Sequence, residues 1–182
     1  MIRVVLFDLG MTLIDAANRP FPHVQEALTA IQSLTTADGK KLLTGLLSDF
    51  DLASPPVTPA KITAIFNRYL TVLDGTSLRP FFEPVQRRVT LSTHAGVLKP
   101  NRKIFETALT RLRSTATLAE CLFMTENQDH VRVARSDLGM SALQFRSSAS
   151  ATFDFDDWRQ APAKVAHLMG AAARIPDSPG AV

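Results

Sequence analysis

Cysteine occurs once in the 182 residues, as Cys121, which excludes an internal disulfide and any scaffold held by cross-links. Its setting, ECLFM, reads as a buried structural thiol rather than a nucleophile. No stretch approaches the ~20 apolar residues that a membrane-crossing helix needs. The apolar run at the amino terminus is short and leads straight into Asp8, which is not the plan of a signal peptide. The expected location is the cytoplasm. Internal repeats and low-complexity blocks are also lacking. Gly39–Lys41 (GKK) is without the rest of a nucleotide-binding P-loop, and His23, His94, His130 and His167 are not at metal-ligand spacing.

What is present suits a soluble globular chain. The sequence is 46% hydrophobic and 20% charged, which argues against disorder, and its length fits one domain with at most a modest appendage. The net charge of +3 is mildly basic. Arg87, Arg88, Arg102, Arg111 and Arg113 read as scattered charges on solvated helix faces rather than as a nucleic-acid patch.

Short apolar runs recur at Ile2–Phe7, Leu42–Leu47, Val89–Leu91, Cys121–Met124 and Ala142–Phe145. Their lack of alternation predicts strands buried on both faces. Helical spacing of apolar residues separates them: Pro22–Leu34, Pro59–Leu73, Asn101–Leu112 and Val131–Leu138, the last stopped by Gly139. Alternating strand and helix predict an α/β fold, a doubly wound parallel sheet with helices on both faces. This core is expected over residues 1–146. The remainder, 147–182, reads as a Ser/Ala linker, a short helix from Trp158 to Met169 capped by Asp156 or Asp157, and a Pro/Gly tail. Trp158 is expected to anchor that helix.

In open α/β sheets ligands sit beyond the carboxyl ends of the strands, and each run here ends near a polar residue. Asp8 and Thr12 follow the first, Ser48 the second, Lys99 lies beyond the third, and Thr125, Glu126 and Asp129 follow the fourth. For Asp8 alone, a ligand role and a turn-capping role are equally open. Together the residues form a phosphoryl-transfer kit. Asp8 would attack phosphorus, Ser48 and Lys99 would hold the phosphoryl oxygens, and Asp8 with Glu126 would bind Mg²⁺.

The order DLGMT, LLSD, GVLKP and MTEN resembles the four motifs of the haloacid dehalogenase (HAD) superfamily, over roughly residues 2–146. The resemblance implies a Rossmann-like core, a Mg²⁺ cofactor and hydrolysis of a phosphorylated small molecule or bulkier phosphate. It also implies substrate binding by Thr12, Ser48 and Lys99, and metal binding by Asp8, the Gly10 backbone carbonyl and Glu126. Only 40 positions separate Asp8 from Ser48, and 50 residues lie between Ser48 and Lys99, which is the plan of a member without a cap domain. An open site of that kind could be covered by a second copy of the chain.

Departures from the family pattern keep three functions in view. Gly10 stands where the phosphatases carry a second Asp, the group that protonates the leaving oxygen. Met11 replaces the usual glycine, which predicts an altered turn, and Thr125 replaces the first acid of the fourth motif. The first reading is a Mg²⁺-dependent phosphatase slowed by Gly10. The second is a non-catalytic HAD fold that binds a phosphorylated ligand or a protein. The third is an acyl-aspartate hydrolase of the dehalogenase kind, disfavoured by the missing cap. His94 is a candidate substitute proton carrier, with a solvated loop residue as its plain alternative, and Asp129 could supplement Glu126 or cap a helix.

Overall fold

The computed structural model describes residues 1–36, 38–146 and 152–170. Five parallel strands form one sheet in the order β3-β2-β1-β4-β5: β1 Val4–Phe7, β2 Leu43–Ser48, β3 Val89–Leu91, β4 Cys121–Thr125 and β5 Ser141–Gln144. The short apolar runs therefore form the expected strands, shifted by one or two residues at some ends. Side chains alternate across the sheet. Val5, Phe7, Leu122 and Met124 enter one core, and Val4, Leu6, Cys121 and Phe123 enter the other.

Helices cover both faces. The first core is closed by α1 (Val24–Ser33), α2 (Pro59–Gly75) and α7 (Ala161–Leu168), which contribute Leu28, Ile31, Phe66, Leu73 and Val165. On the opposite face, α5 (Arg102–Arg111) and α6 (Gln128–Ser136) supply Ile104, Phe105, Val131 and Ala134. Two four-residue helices, α3 (Val85–Arg88) and α4 (Ser92–Ala95), flank β3 and have no counterpart in the sequence reading. Four residues are too few to show a helical period.

Local chemistry sets the helix ends. Asn101 accepts the Lys103 amide at the start of α5, as its position after Pro100 predicts. Helix α6 begins earlier than its apolar spacing suggests, because Asn127 accepts the His130 amide at 3.1 Å and nucleates a polar first turn. Beyond β5, Phe155, Trp158, Ala161, Val165 and Met169 join the first core. Trp158 packs between Phe7, Phe145 and Phe155, with centroids 5.2–6.3 Å apart. Asp157 caps this segment by accepting the Arg159 amide. The linker and tail expected at 147–151 and 171–182 lie outside the described residues.

The sheet order positions the site. From β1 the chain passes to β2 on one side, and from β4 it passes to β5 on the other. The crevice at such a reversal lies beyond the carboxyl ends of β1 and β4.

Candidate active site

Register brings the polar residues together. Phe7 pairs with Met124 across β1 and β4, so the next residues along, Asp8 and Thr125, are neighbours at the sheet edge. The Asp8 amide continues the ladder by donating to Met124 O at 2.9 Å. On the other side Phe7 pairs with Leu46, which sets Ser48 one step beyond the level of Asp8.

Asp8 is the centre of a buried polar cluster, 6% exposed. Its Oδ2 lies 2.6 Å from the Lys99 ammonium and accepts the Thr125 hydroxyl at 3.0 Å. Its Oδ1 accepts the Leu9 amide at 2.8 Å. Lys99 is equally fixed: its side chain is 3% exposed, its Nζ sits over the Phe123 ring at 5.8 Å, and its backbone amide donates to Asp49 Oδ1 at 2.9 Å. Asp49 went unremarked in the sequence, although it follows Ser48 directly and tethers the lysine loop to the end of β2.

Glu126 completes the cluster through hydroxyls. Thr12 Oγ1 donates to Glu126 Oε2 at 2.6 Å and accepts the Glu126 amide at 3.1 Å. Thr125 Oγ1 lies 3.2 Å from the same carboxylate oxygen and accepts the Asn127 amide. The single Thr125 proton is thus shared between Asp8 and Glu126. Burial, and then the charge of Asp8, hold the Glu126 carboxyl above the usual range. Two carboxylates and one ammonium leave a net negative charge here.

The turn after β1 is held by Leu13 and Ile14 amides donating to Leu9 O at 2.9 and 3.1 Å. Met11 takes φ 55° in it, the left-handed region that a glycine would occupy without strain. Gly10 itself is solvent-facing, and a Cβ there would meet no atom within 4 Å. Trp158 braces this turn from the far end of the chain, with Nε1 donating to Thr12 O at 3.1 Å.

Several expectations are corrected. His94 is neither a solvated loop residue nor a free proton carrier. Its Nδ1 accepts the Leu91 amide at 3.0 Å and its ring packs edge-on to Phe66, while burial, and then Arg111, push its pKa down to about 4. The imidazole that the site's charges reach is His130, on the first turn of α6. Among the described residues its buried Nδ1 has no hydrogen-bond partner, and burial, then Lys99, lower its pKa. Asp129 points to solvent, 3.8 Å from Arg132, so neither metal binding nor capping falls to it; Asn127 is the cap. Arg111 is no surface charge either, since its guanidinium donates to Val89 O. Cys121 is buried as expected, its thiol pushed up to about 12 by burial and then Glu120.

No protein-family model and no curated protein matches the chain. Solved structures do match it. A haloacid dehalogenase-like family hydrolase from Xanthomonas campestris superposes with a TM-score of 0.52 at 14% identity, over 84% of this chain and 52% of the other. The HAD-hydrolase YfnB of Bacillus subtilis, bound to magnesium, gives 0.54 at 9% identity, over 85% and 57%. The fold is HAD-like. An uncharacterised protein from Listeria monocytogenes matches over nearly its whole length, with a TM-score of 0.59 at 16% identity, covering 93% of this chain and 100% of the other. The two hydrolases are thus much longer than this chain, whereas the Listeria protein is of similar extent. Among the described residues, no helix is long and apolar enough to cross a membrane.

Proposed function

We propose that this HAD-like chain hydrolyses phosphate monoesters through an aspartyl-phosphate on Asp8. The observation that carries the reading is the state of the Asp8 carboxylate. It is buried at the end of the central strand, with Lys99 and Thr125 both on Oδ2 and the Leu9 amide as the described partner of Oδ1. A buried carboxylate paired in this way is oriented rather than free, and Oδ1 keeps lone pairs for attack. In the first step Oδ1 forms a bond to phosphorus, the bond to the ester oxygen breaks, and the departing oxygen takes a proton from solvent water. A water molecule then attacks phosphorus, the bond from phosphorus to Oδ1 breaks, and the attacking water gives up a proton to solvent, releasing inorganic phosphate and restoring Asp8. Lys99 and the Ser48 hydroxyl would offset the charge on the phosphoryl oxygens.

Among the described residues no three His, Cys, Asp or Glu side chains form a metal cluster. Mg²⁺ nevertheless accepts one or two carboxylates with substrate oxygens and waters, and the net negative charge of the cluster suits a cation. Asp8, Glu126 and the Gly10 carbonyl would hold it, and when bound it would neutralise charge on the transferring group. Among the described residues α1 is the one regular helix between β1 and β2, and α2 with short helices fills the span from β2 to β3. We therefore read the chain as capless, its motif-bearing core at residues 1–146 completed by packing from Phe155 to Met169, with a site open to bulky phosphates and to cover by a second copy.

One observation favours a second reading, a HAD fold that binds a phosphorylated ligand without turnover: Gly10 offers no side chain to carry a proton. Hydrolysis of p-nitrophenyl phosphate separates the two. The phosphatase reading expects slow turnover with Mg²⁺, suppressed by EDTA and abolished by Asp8→Asn. Turnover that persists in Asp8→Asn contradicts the assigned nucleophile, and phosphate binding with no turnover selects the binding protein.

A further inference from the structure

Tyr69 is the one tyrosine of the chain, and the apolar spacing of α2 accounts for its ring but not its hydroxyl. The residue is 2% exposed, yet among the described residues its hydroxyl makes no hydrogen bond of ordinary geometry and has only a weak contact with the Ser48 hydroxyl. Leaving such a group unpaired in the interior costs about 1–3 kcal/mol, so its retention calls for a reason. The ring is pinned edge-on against Phe50, with centroids 5.3 Å apart, which fixes where the hydroxyl points. It adjoins the Ser48 hydroxyl, and the charge of Asp8 reaches it. Burial, and then Asp8, push the phenol well above its ordinary pKa, so it stays a donor. Ser48 is similarly under-used: beside its contact with Tyr69, its hydroxyl makes a long 3.4 Å bond to Asp49 O. Two buried hydroxyls thus stand side by side next to Asp8 with little to donate to.

We infer that Tyr69 is a phosphoryl-binding residue, its hydroxyl donating together with Ser48 to an oxygen of the group presented to Asp8. This rests on the phosphate-site reading given above. It adds a donor from α2, an element outside the four motif segments, and gives the unpaired hydroxyl an acceptor that arrives with the ligand. A charged acceptor at that point strengthens the bond relative to a neutral one. Tyr69 binds in this account and carries no proton or covalent step.

Tyr69→Phe isolates the hydroxyl. Without ligand, the variant is expected to melt at the same temperature as the parent or higher, because an unpaired buried polar group has been removed. Its affinity for inorganic phosphate with Mg²⁺, measured by calorimetry, is expected to fall about tenfold or more, the scale of a lost hydrogen bond to a charged group. Unchanged phosphate affinity in Tyr69→Phe, with the parent binding normally, overturns the inference; a lowered melting temperature with unchanged affinity assigns the hydroxyl to the core instead. A parent that binds no phosphate brings down the site reading and this inference with it. The unmutated protein labelled with 3-fluorotyrosine gives a second test, since a single ¹⁹F resonance should move saturably on titration with phosphate. A resonance that stays fixed while calorimetry records binding counts against Tyr69 even if the variant fails to fold.

Discussion

Gly10 and Asp8 sit two residues apart and decide what the site can do. On the proposed reading Asp8 is the nucleophile, and Gly10, where a second acid would carry protons, has room for one. Because a Cβ at Gly10 meets nothing within 4 Å, Gly10→Asp should fold normally. If proton transfer alone limits turnover, hydrolysis of an aryl phosphate should rise by about 10²–10⁴-fold. No gain, with phosphate binding intact, would move the deficit to Thr125 or to the turn. His94 supports a prediction of a different kind. Its folded pKa is about 4 against an ordinary 6.5, so between those values the unfolded chain holds the proton and the folded chain does not. Stability should therefore fall as pH drops from 6.5 towards 4, by no more than about 2 kcal/mol from this half-buried ring. His94→Asn, which keeps an acceptor for the Leu91 amide, should show a flatter urea midpoint across that range; a slope equal to the parent's would exclude His94 as its source.

At the scale of elements, the strands and the longer helices were legible because each carries its own periodicity. What sequence periodicity cannot convey is where a polar tip points. The spacing in α2 places Tyr69 on the core face, as the structure does, but says nothing of the hydroxyl beside Ser48. Thr125 reads in sequence as a lost acid, whereas in the fold its hydroxyl joins Asp8 to Glu126. The reverse error fell on His94, whose nearness to Lys99 in sequence suggested a place in the site that the turn into α4 denies it. The carboxyl-terminal segment also reaches further than its sequence suggests, through the Trp158 bond to Thr12. Trp158→Phe should orphan that carbonyl at a cost of about 1–3 kcal/mol, with a further loss from the space vacated. Because Thr12 positions Glu126, the same variant should weaken Mg²⁺ affinity in calorimetry. Lost stability with unchanged Mg²⁺ affinity would confine Trp158 to a packing role.

For the whole molecule, the parallel order β3-β2-β1-β4-β5 turns residues far apart in the chain into neighbours. The pairing of β1 with β4 sets Asp8 beside Thr125, the pairing with β2 brings up Ser48, and the loop tethered by Asp49 delivers Lys99. Each polar residue was visible in the sequence as the end of an apolar run; their convergence became visible only with the register. The account stands on that convergence having phosphorus as its object. A crystal structure of the protein grown with Mg²⁺ and beryllium fluoride tests this most directly. The account predicts beryllium bonded to Asp8 Oδ1, with fluorides on Lys99, Ser48 and Tyr69 and the metal between Asp8 and Glu126. A fluoride complex bound elsewhere, or an Asp8 carboxylate still holding only Lys99, Thr125 and the Leu9 amide at saturating concentrations, would contradict it.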